Sequence, residues 1–502
     1  MSAAVVRMPQ AELVRMLGTR IRAVADALGV QHEGRTNGSL LQELALRIKT
    51  SRRDDEAWLL YVGLTSTFPN PLEFANFKQT LELSRPALAI IAVLEACLDS
   101  ASKPDVLERD IRIISDEVIV DVNFCATNEH NTGIQRVVRE TIPEWTSAER
   151  PIHLVAWTSD SSAMREIDEI ETDRVLHWND RQIEPGTYLP VDPRHRDTVI
   201  VPWRTQVFLP EVPSPSTCAN LACLAQASGN TVSLIGYDAI PLVSAETQPP
   251  TESERFAHYL TIVKHASTVI GISASAALEF EGFTSALAAQ GLPGPVVKSV
   301  PLAVDVPAAA LSVNPPTPER PVILCVGSHE PRKNQDAVIF AAEVLFREGF
   351  DFSMIFVGGG SRLATQDFDQ RVRVLHKQGL DVRSFRSLSD RELWSLYGQA
   401  RFTVFVSLHE GFGLPVAESL ALRTPVLASN FGSVAEIAAL GGCLMVDPRD
   451  DEQIVEGMRK MLTDDDLIAR LTGEALDATR KSWKSYADEL WFAGTTELAG
   501  QK

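Results

Sequence analysis

Two glutamates, Glu410 and Glu418, lie eight positions apart in SLHEGFGLPVAESLALRTPV (407–426), with a glycine-rich turn between them. The preceding run FTVFVSLH is typical of a strand, and Pro415 suits the first turn of a helix. Glu410 is therefore predicted at a strand end, and Glu418 about one turn into the next helix, near its positive end. Glycines let a ligand approach the backbone, whose free N–H groups can bind an anion. The pattern predicts a ligand site at this turn, with one carboxylate on each side of it.

A second cluster of chemical groups lies in ILCVGSHEPRKNQDAVIFAAEVL. The strand pattern ends at Val326, and a helix is predicted from Asn334 or Gln335. Arg332 and Lys333 would then lie between a strand end and a helix N-terminus, where a diphosphate can be bound. Taken alone, the same pair could be a solvated basic pair on a loop.

Alternating strands and helices provide the scaffold for both clusters. Buried strands are predicted in EVIVDV, IHLVAWT, DTVIVPW, TVSLIGYD and STVIGIS, with helical stretches between them. After a proline-rich linker at 305–321 the alternation restarts with PVILCVGS, FSMIFVGGG, FTVFVSL, TPVLASN and CLMVD. The pattern favours two doubly wound parallel sheets. Ligands bind beyond the carboxyl ends of such strands, and two facing halves would form a cleft.

The predicted organisation adds helical segments at both ends. Residues 1–110 carry apolar residues at helical spacing and predict an accessory helical domain. The two halves are predicted at 111–310 and 311–482, and a last amphipathic helix at 483–502, whose packing partner the sequence does not identify.

Composition excludes several classes of protein. A net charge of −19 over 502 residues argues against a nucleic-acid partner. None of the six cysteines forms a CxxC pair, so a zinc site or disulfide framework is not expected. The first twenty residues lack an uninterrupted apolar run, and no apolar run of about 18 residues occurs. These patterns predict a cytoplasmic protein, with peripheral contact to the inner face of the membrane left open.

These motifs carry a family resemblance. EGFGLPVAE resembles the E-x7-E signature of retaining glycosyltransferases with the GT-B fold, specifically glycosyltransferase family 4 (group 1). VGSHEPRKN resembles the family's diphosphate loop and TGIQRVVRE its glycine loop, while IGYDAIPL, TVIGISASAALEF and VPLAVD resemble later motifs. The match covers about residues 117–500. It implies an α/β fold of the GT-B type, in which two Rossmann-like doubly wound domains face a cleft, here with an N-terminal all-helical extension.

The resemblance implies a role for each matched position. Lys333 and Arg332 would neutralise the donor diphosphate, Glu418 would bind the ribose hydroxyls, and Glu410 would contact the transferred sugar. Glu410, Lys333 and Arg332 are thus the predicted catalytic residues. Other positions are implied in donor binding, through backbone N–H groups, loop closure or contact with the base. These are Gly133, Ser328, Tyr237, Asp238, Phe385, Arg386, Ser387, Phe412, Gly413 and Leu414.

Two positions depart from the family pattern. Ser328 stands where many members have arginine, so Arg332 is expected to take over that role. Tyr237 precedes Asp238 where many members have a histidine that contacts the donor sugar, which points to a different sugar, such as a deoxy one.

Other motifs are weaker. Asp367 and Asp369 form a DxD pattern that binds metal in another glycosyltransferase fold, but their surroundings predict a polar helix face. VFVGGGSRL is an incomplete dinucleotide loop. His409 could act as a lone acid-base group, although lining the pocket is the favoured interpretation. No cofactor and no metal are therefore expected.

The predicted function is a metal-independent, retaining hexosyltransferase. Resemblance to mannosyl- and rhamnosyltransferases of bacterial polysaccharide assembly makes GDP-mannose or a GDP-deoxyhexose the first predicted donor. The predicted acceptor is a saccharide or lipid-linked saccharide in cell-surface polysaccharide or lipopolysaccharide synthesis. Two alternatives stay open: a nucleotide-sugar epimerase on the same fold, and a non-catalytic subunit that binds a nucleotide-sugar or a partner. The N-terminal helices could serve a partner, the membrane or a homo-oligomer.

Overall fold

The computed structural model describes residues 10–100, 106–178, 198–303, 318–360, 362–477 and 481–495. Within these residues two sheets are each covered by helices, as two doubly wound halves require. Most of the predicted linker at 305–321, and the predicted boundary between the halves, lie outside the described residues.

Five helices precede the first sheet. They are α1 (Gln10–Ala27), α2 (Asn37–Ser51), α3 (Asp54–Thr65), α4 (Pro71–Leu83) and α5 (Ala89–Ser100). Helix α3 is buried along nearly its whole length, and its side chains belong to the same hydrophobic core as the first sheet. The helices therefore form a layer on that sheet, and the domain boundaries stay predictions.

Within the described part of the chain, the first sheet has nine strands in the order β1-β5-β4-β3-β2-β6-β7-β8-β9. Their bounds are β1 (Asp110–Ile114), β2 (Val118–Asp121), β3 (Ile152–Trp157), β4 (Met164–Glu166), β5 (Thr198–Pro202), β6 (Gln206–Leu209), β7 (Thr231–Gly236), β8 (Thr268–Gly271) and β9 (Val296–Ser299). The prediction of an all-parallel sheet is wrong at β4, which is antiparallel to β3 and β5. The chain returns from β3 through a tight turn in which Thr158 N donates to Ala163 O, too short for the crossover that a parallel pair needs.

Helices of this half connect the strands. They are α6 (Asn123–Thr127), α7 (Gly133–Ser147), α8 (Glu169–Leu176), α9 (Pro215–Ala227), α10 (Ile240–Val243), α11 (Pro250–Val263) and α12 (Ala274–Ala288). Helix α7 begins at a capping box formed by Thr132 and Gln135, which fixes the start of the helix next to the cleft.

The second sheet is parallel throughout, in the order β12-β11-β10-β13-β14-β15. Its strands are β10 (Val322–Val326), β11 (Ser353–Val357), β12 (Val382–Phe385), β13 (Ala400–Phe405), β14 (Val426–Ser429) and β15 (Cys443–Val446). Its helices are α13 (Gln335–Arg347), α14 (Arg362–Lys377), α15 (Asp390–Gln399), α16 (Leu414–Ala421), α17 (Gly432–Ala438), α18 (Asp451–Thr463) and α19 (Asp465–Asp477).

The last helix, α20 (Trp483–Thr495), packs on the N-terminal half. Trp491 makes an edge-to-face contact with Trp145, with ring centroids 5.3 Å apart. The Trp145 indole N–H donates to the carbonyl of Ala487 over 2.8 Å. This answers the question of packing that the sequence left open. Among the described residues, no helix combines the length and the apolar character needed to cross a bilayer.

Candidate functional site

The two halves meet closely at the loop that follows β13. A Cβ atom on Gly411 would lie 2.3 Å from the carbonyl oxygen of Tyr237, so only glycine fits there. Ser273 Oγ donates to Gly411 O over 2.7 Å from the other half. The glycine-rich turn predicted to approach a ligand is thus also the place where the halves approach each other.

Glu410 is held by two cations. Its carboxylate accepts from Lys333 Nζ at 2.6 Å and from Arg332 Nη1 at 2.9 Å, and its side chain is only 8% exposed. Burial alone would raise the pKa of Glu410, but the two neighbouring cations outweigh it and hold that pKa below its ordinary value. The structure therefore brings the three predicted catalytic residues together around an ionised carboxylate.

Local backbone geometry positions both cations. They lie in a short 3₁₀ helix, Pro331–Lys333, which ends at Asn334 in the left-handed conformation. Helix α13 begins immediately after, as the sequence predicted. Arg332 also donates to Glu330, at 2.9 Å, and the hydroxyl of Ser328 donates to the same carboxylate. In this arrangement the predicted diphosphate-binding cations are already neutralised by side chains of their own loops.

Glu418 is engaged from both sides of the cleft. It lies in α16 and accepts from Arg136 Nη1 at 2.6 Å and from the Tyr397 hydroxyl at 3.0 Å. Burial raises the pKa of Glu418, and the charge of Arg136 opposes that rise. Arg136 was missed from the sequence, where TGIQRVVRE was identified only as a family motif. The place of Arg136 within that motif was a usable signal.

The N-termini of α7 and α16 lie against each other. A Cβ atom on Gly133 would lie 3.3 Å from Leu414 Cδ1, and Gly413 adopts a φ of +114° that favours glycine. Phe412 packs its ring into the hydrophobic core, so its predicted donor contact would come from the backbone. The predicted positions Gly133, Gly413 and Leu414 are therefore adjacent in space.

His409 links the halves beside Glu410. Its Nδ1 lies 2.6 Å from Ser244 Oγ, and its Nε2 donates to Glu279 Oε1 over 2.5 Å. The second oxygen of Glu279 accepts from Ala239 N at 2.6 Å. The hydrogen bond with Glu279 raises the pKa of His409 in spite of burial. His409 is thus bound in an interdomain network rather than standing as a lone acid-base group.

Tyr237 and Asp238, which belong to the N-terminal half, lie next to Gly411. The Tyr237 hydroxyl donates to Pro210 O over 2.7 Å, into its own half. A donor contact from Tyr237, as the sequence predicted, would therefore have to use another atom. Asp238 accepts from Ile240 N at 3.1 Å, and burial raises its pKa while the charge of Arg332 opposes the rise.

The residues predicted near the base lie at the end of β12 and directly after it. Phe385 and Ser387 are exposed, and Arg386 forms an ion pair with Asp369. One carboxylate of the DxD pattern is therefore bound to an arginine, and Asp367 is exposed on the same helix. Contact with the base stays a prediction for all three residues.

Two buried carboxylates on the N-terminal half were missed. Glu211 follows β6 and accepts from Phe124 N at 2.6 Å and Cys125 N at 2.8 Å. Asp121 ends β2 and accepts from the Trp157 indole over 2.8 Å. Burial raises the pKa of Glu211 to about 7 and that of Asp121 to about 6. The usable signal was an acid directly after each apolar strand, in EVIVDV and in VFLPE.

Comparisons with known proteins agree with this geometry. The family described as "Glycosyl transferases group 1" matches residues 311–478. The Escherichia coli protein "Serotype-specific mannosyltransferase WbdA" is 25% identical over 341 residues, which are 64% of this chain and 40% of that protein. "O-antigen chain mannosyltransferase B", also from Escherichia coli, is 31% identical over 163 residues, 32% of this chain and 42% of that protein. The chain spans about two fifths of the length of these curated relatives.

Solved structures share the fold. Sucrose-phosphate synthase from Thermosynechococcus elongatus superposes with a TM-score of 0.51 at 16% identity, over 76% of this chain and 98% of that chain. With two parallel-type sheets facing each other, the predicted GT-B architecture is confirmed.

Proposed function

We propose that this chain, whose residues 311–478 form a glycosyltransferase group 1 domain, is a retaining hexosyltransferase of family 4. It would move a hexose from a nucleoside-diphosphate sugar to a saccharide acceptor during cell-surface polysaccharide assembly. The observation that carries the proposal is the contact of Lys333 and Arg332 with Glu410 at the strand ends that face the other half. Mannose is the first candidate sugar because the two curated relatives described above are named mannosyltransferases, and GDP is the first candidate carrier.

The proposed chemistry follows from where charge develops. Breaking the bond to the diphosphate builds positive charge on the anomeric carbon and negative charge on the leaving group. Lys333, Arg332 and the N-terminus of α13 would stabilise that leaving group. The acceptor attacks from the same face, and its proton passes to the departing phosphate, so the sugar keeps its configuration.

Glu410 fits an electrostatic role better than a nucleophilic one. Both of its oxygens are bound by cations in the structure, which lowers the electron density available for attack on carbon. We therefore propose that it positions the two cations and the sugar, without forming the covalent intermediate that retaining glycosidases use. No metal enters the proposal, since the two side-chain cations supply positive charge at the diphosphate.

We propose the acceptor from the family resemblance, and the location from the sequence pattern. A saccharide or lipid-linked saccharide acceptor would be used in the cytoplasm, at the inner face of the membrane. A partner or homo-oligomer contact through the N-terminal helices stays a prediction.

A thermal-shift panel tests the proposal. It uses UDP, GDP, ADP, dTDP and their sugars, with and without magnesium, on the wild-type protein, Lys333→Ala and Lys78→Ala. Lys78 forms an ion pair with Asp54 in the N-terminal helices and serves as the matched control. A ligand at a hundred times its Kd stabilises the native state by about 2.7 kcal/mol, so the preferred base should stand out. We expect a GDP-selective shift that Lys78→Ala keeps and Lys333→Ala loses, unchanged by magnesium.

Product analysis separates the remaining outcomes. Transfer to an acceptor with the anomeric configuration kept supports the proposal. Conversion of the donor sugar without any acceptor would establish an epimerase instead. The absence of a shift with any nucleotide would contradict donor binding.

A further inference from the structure

Arg136 extends from the N-terminal half into the predicted donor site. Its guanidinium lies 2.6 Å from Glu418, and the two side chains are 19% and 13% exposed. Tyr397 takes the other oxygen of the same carboxylate. Both oxygens of the group predicted to bind the ribose are therefore already occupied, one of them by a cation from across the cleft.

The surroundings of Arg136 suit an anion. It lies in the first turn of α7, whose first residue, Gly133, faces Leu414, the first residue of α16. Two helix N-termini, each with a partial positive charge, thus meet beside Arg136. Glu418 offsets this positive charge in the structure. A ligand that draws the carboxylate away would leave a largely buried guanidinium, which is costly unless another anion replaces it.

We propose that Arg136 is a donor-binding residue that exchanges partners when the nucleotide enters. The ribose hydroxyls would donate to Glu418, and the released guanidinium would turn to the diphosphate, which it can bind through two parallel N–H groups. The exchange couples closure of the two halves to the presence of both ribose and diphosphate in one ligand. This inference rests on the proposed function, because it requires a nucleoside diphosphate in the same site.

Calorimetric titration with guanosine and with GDP tests the exchange. The proteins are the wild type, Arg136→Gln, Arg136→Lys and the control Arg150→Gln. Arg150 pairs with Asp488 over a distance of 3.1 Å, and this pair lies outside the cleft. Should the panel select another base, the matching nucleoside and diphosphate replace this pair.

The expected results for the two ligands have opposite signs. Arg136→Gln should bind GDP about tenfold or more weakly, the size of one lost charge-assisted hydrogen bond. It should bind guanosine about threefold more tightly, because the competitor for Glu418 is gone. Arg136→Lys should recover part of the GDP affinity, and Arg150→Gln should match the wild type for both ligands.

Other results would overturn the inference. An equal loss for both ligands would show that Arg136 only holds the halves together. Unchanged GDP affinity in Arg136→Gln would remove the diphosphate contact while leaving the proposed function intact. If the wild-type protein binds no nucleoside diphosphate, the proposed function itself fails and this inference fails with it.

Discussion

Two buried carboxylates, Glu410 and Glu211, lie on opposite faces of the cleft, and their pKa values shift in opposite directions. On the C-terminal face, Glu410 is bound by two cationic side chains, and its pKa lies below the ordinary value. On the N-terminal face, Glu211 accepts from two backbone N–H groups, and burial, with the nearby Asp121 carboxylate, raises its pKa to about 7. The backbone N–H groups do not offset the loss of water around the charge of Glu211, whereas the two cations beside Glu410 do. The single Arg136 beside Glu418 does not, and the pKa of Glu418 is also raised.

The difference assigns different chemistry to the two faces. Cations concentrated on one side suit the diphosphate of a donor. On the other side, burial raises the pKa of Asp121 to about 6 and that of Glu211 to about 7, which lowers the negative charge of that side near neutral pH. The N-terminal half also places the side chain of Arg136 against Glu418 on the C-terminal face.

The largest expected effect comes from removing the charge of the paired carboxylate. Glu410→Gln should lower donor turnover by a factor on the order of a hundred to a thousand, the range seen when one preorganised electrostatic group is lost. The same change frees Lys333 and Arg332, so the nucleoside diphosphate should bind more tightly. Turnover is measured as nucleoside-diphosphate release, and affinity by calorimetry.

Glu330→Gln is the matched control for this variant. Glu330 also pairs with Arg332, at 2.9 Å, but it is more exposed and lies on the diphosphate loop. Turnover by Glu330→Gln should fall far less than turnover by Glu410→Gln. Activity of Glu410→Gln close to the wild-type value would rule out the proposed role of this carboxylate.

A smaller effect is expected on stability through Glu211. Folding raises the pKa of Glu211 from 4.5 to about 7. Between pH 4.5 and pH 7 this carboxyl is therefore ionised mainly in the unfolded chain. The free energy of unfolding should therefore fall by up to about 3 kcal/mol as pH rises from 4.5 to 7, then level off. Glu211→Gln should flatten this decline in thermal unfolding measured across that range.

The raised pKa of Asp121 also lowers the free energy of unfolding as pH rises, over a lower pH range. Some dependence of stability on pH should therefore persist in Glu211→Gln. An exposed carboxylate, Glu254, provides the control, and Glu254→Gln should keep the wild-type slope. A Glu211→Gln slope equal to that of the wild type would mean that the N-terminal carboxylates are ionised like Glu410, and the contrast between the faces would disappear.

The smallest effect concerns the link between the faces. The pKa of His409 is raised on folding, chiefly by its hydrogen bond with Glu279, so its stabilisation is complete below about pH 6.5 and is lost as pH rises through the raised value. His409→Gln should cost about 1–2 kcal/mol at pH 5.5, the size of a charge-assisted hydrogen bond, and less at pH 9. Thermal unfolding at the two pH values measures this.

His32→Gln is the control, because His32 pairs with Asp26 within the N-terminal helices. A loss from His409→Gln that is equal at both pH values would indicate packing rather than charge.

Local sequence patterns predicted much of the fold and several residues on the C-terminal face of the cleft. The apolar runs that became β2, β3, β7 and β10 were identified because buried parallel strands are continuous and β-branched. Strands β4 and β12 were missed because MRE and VRSF each contain two charged or polar residues and no continuous apolar run.

By itself, the sequence determined the alternation of strands and helices and the placement of Glu410, Lys333 and Arg332 at strand ends. Those features depend on residue type and short spacing, which fix backbone conformation locally. Tertiary structure alone decided which groups meet: Arg136 with Glu418, His409 with Glu279, and α20 with α7. These pairs are separated by more than a hundred residues, and each depends on how the two halves pack, which no local pattern encodes.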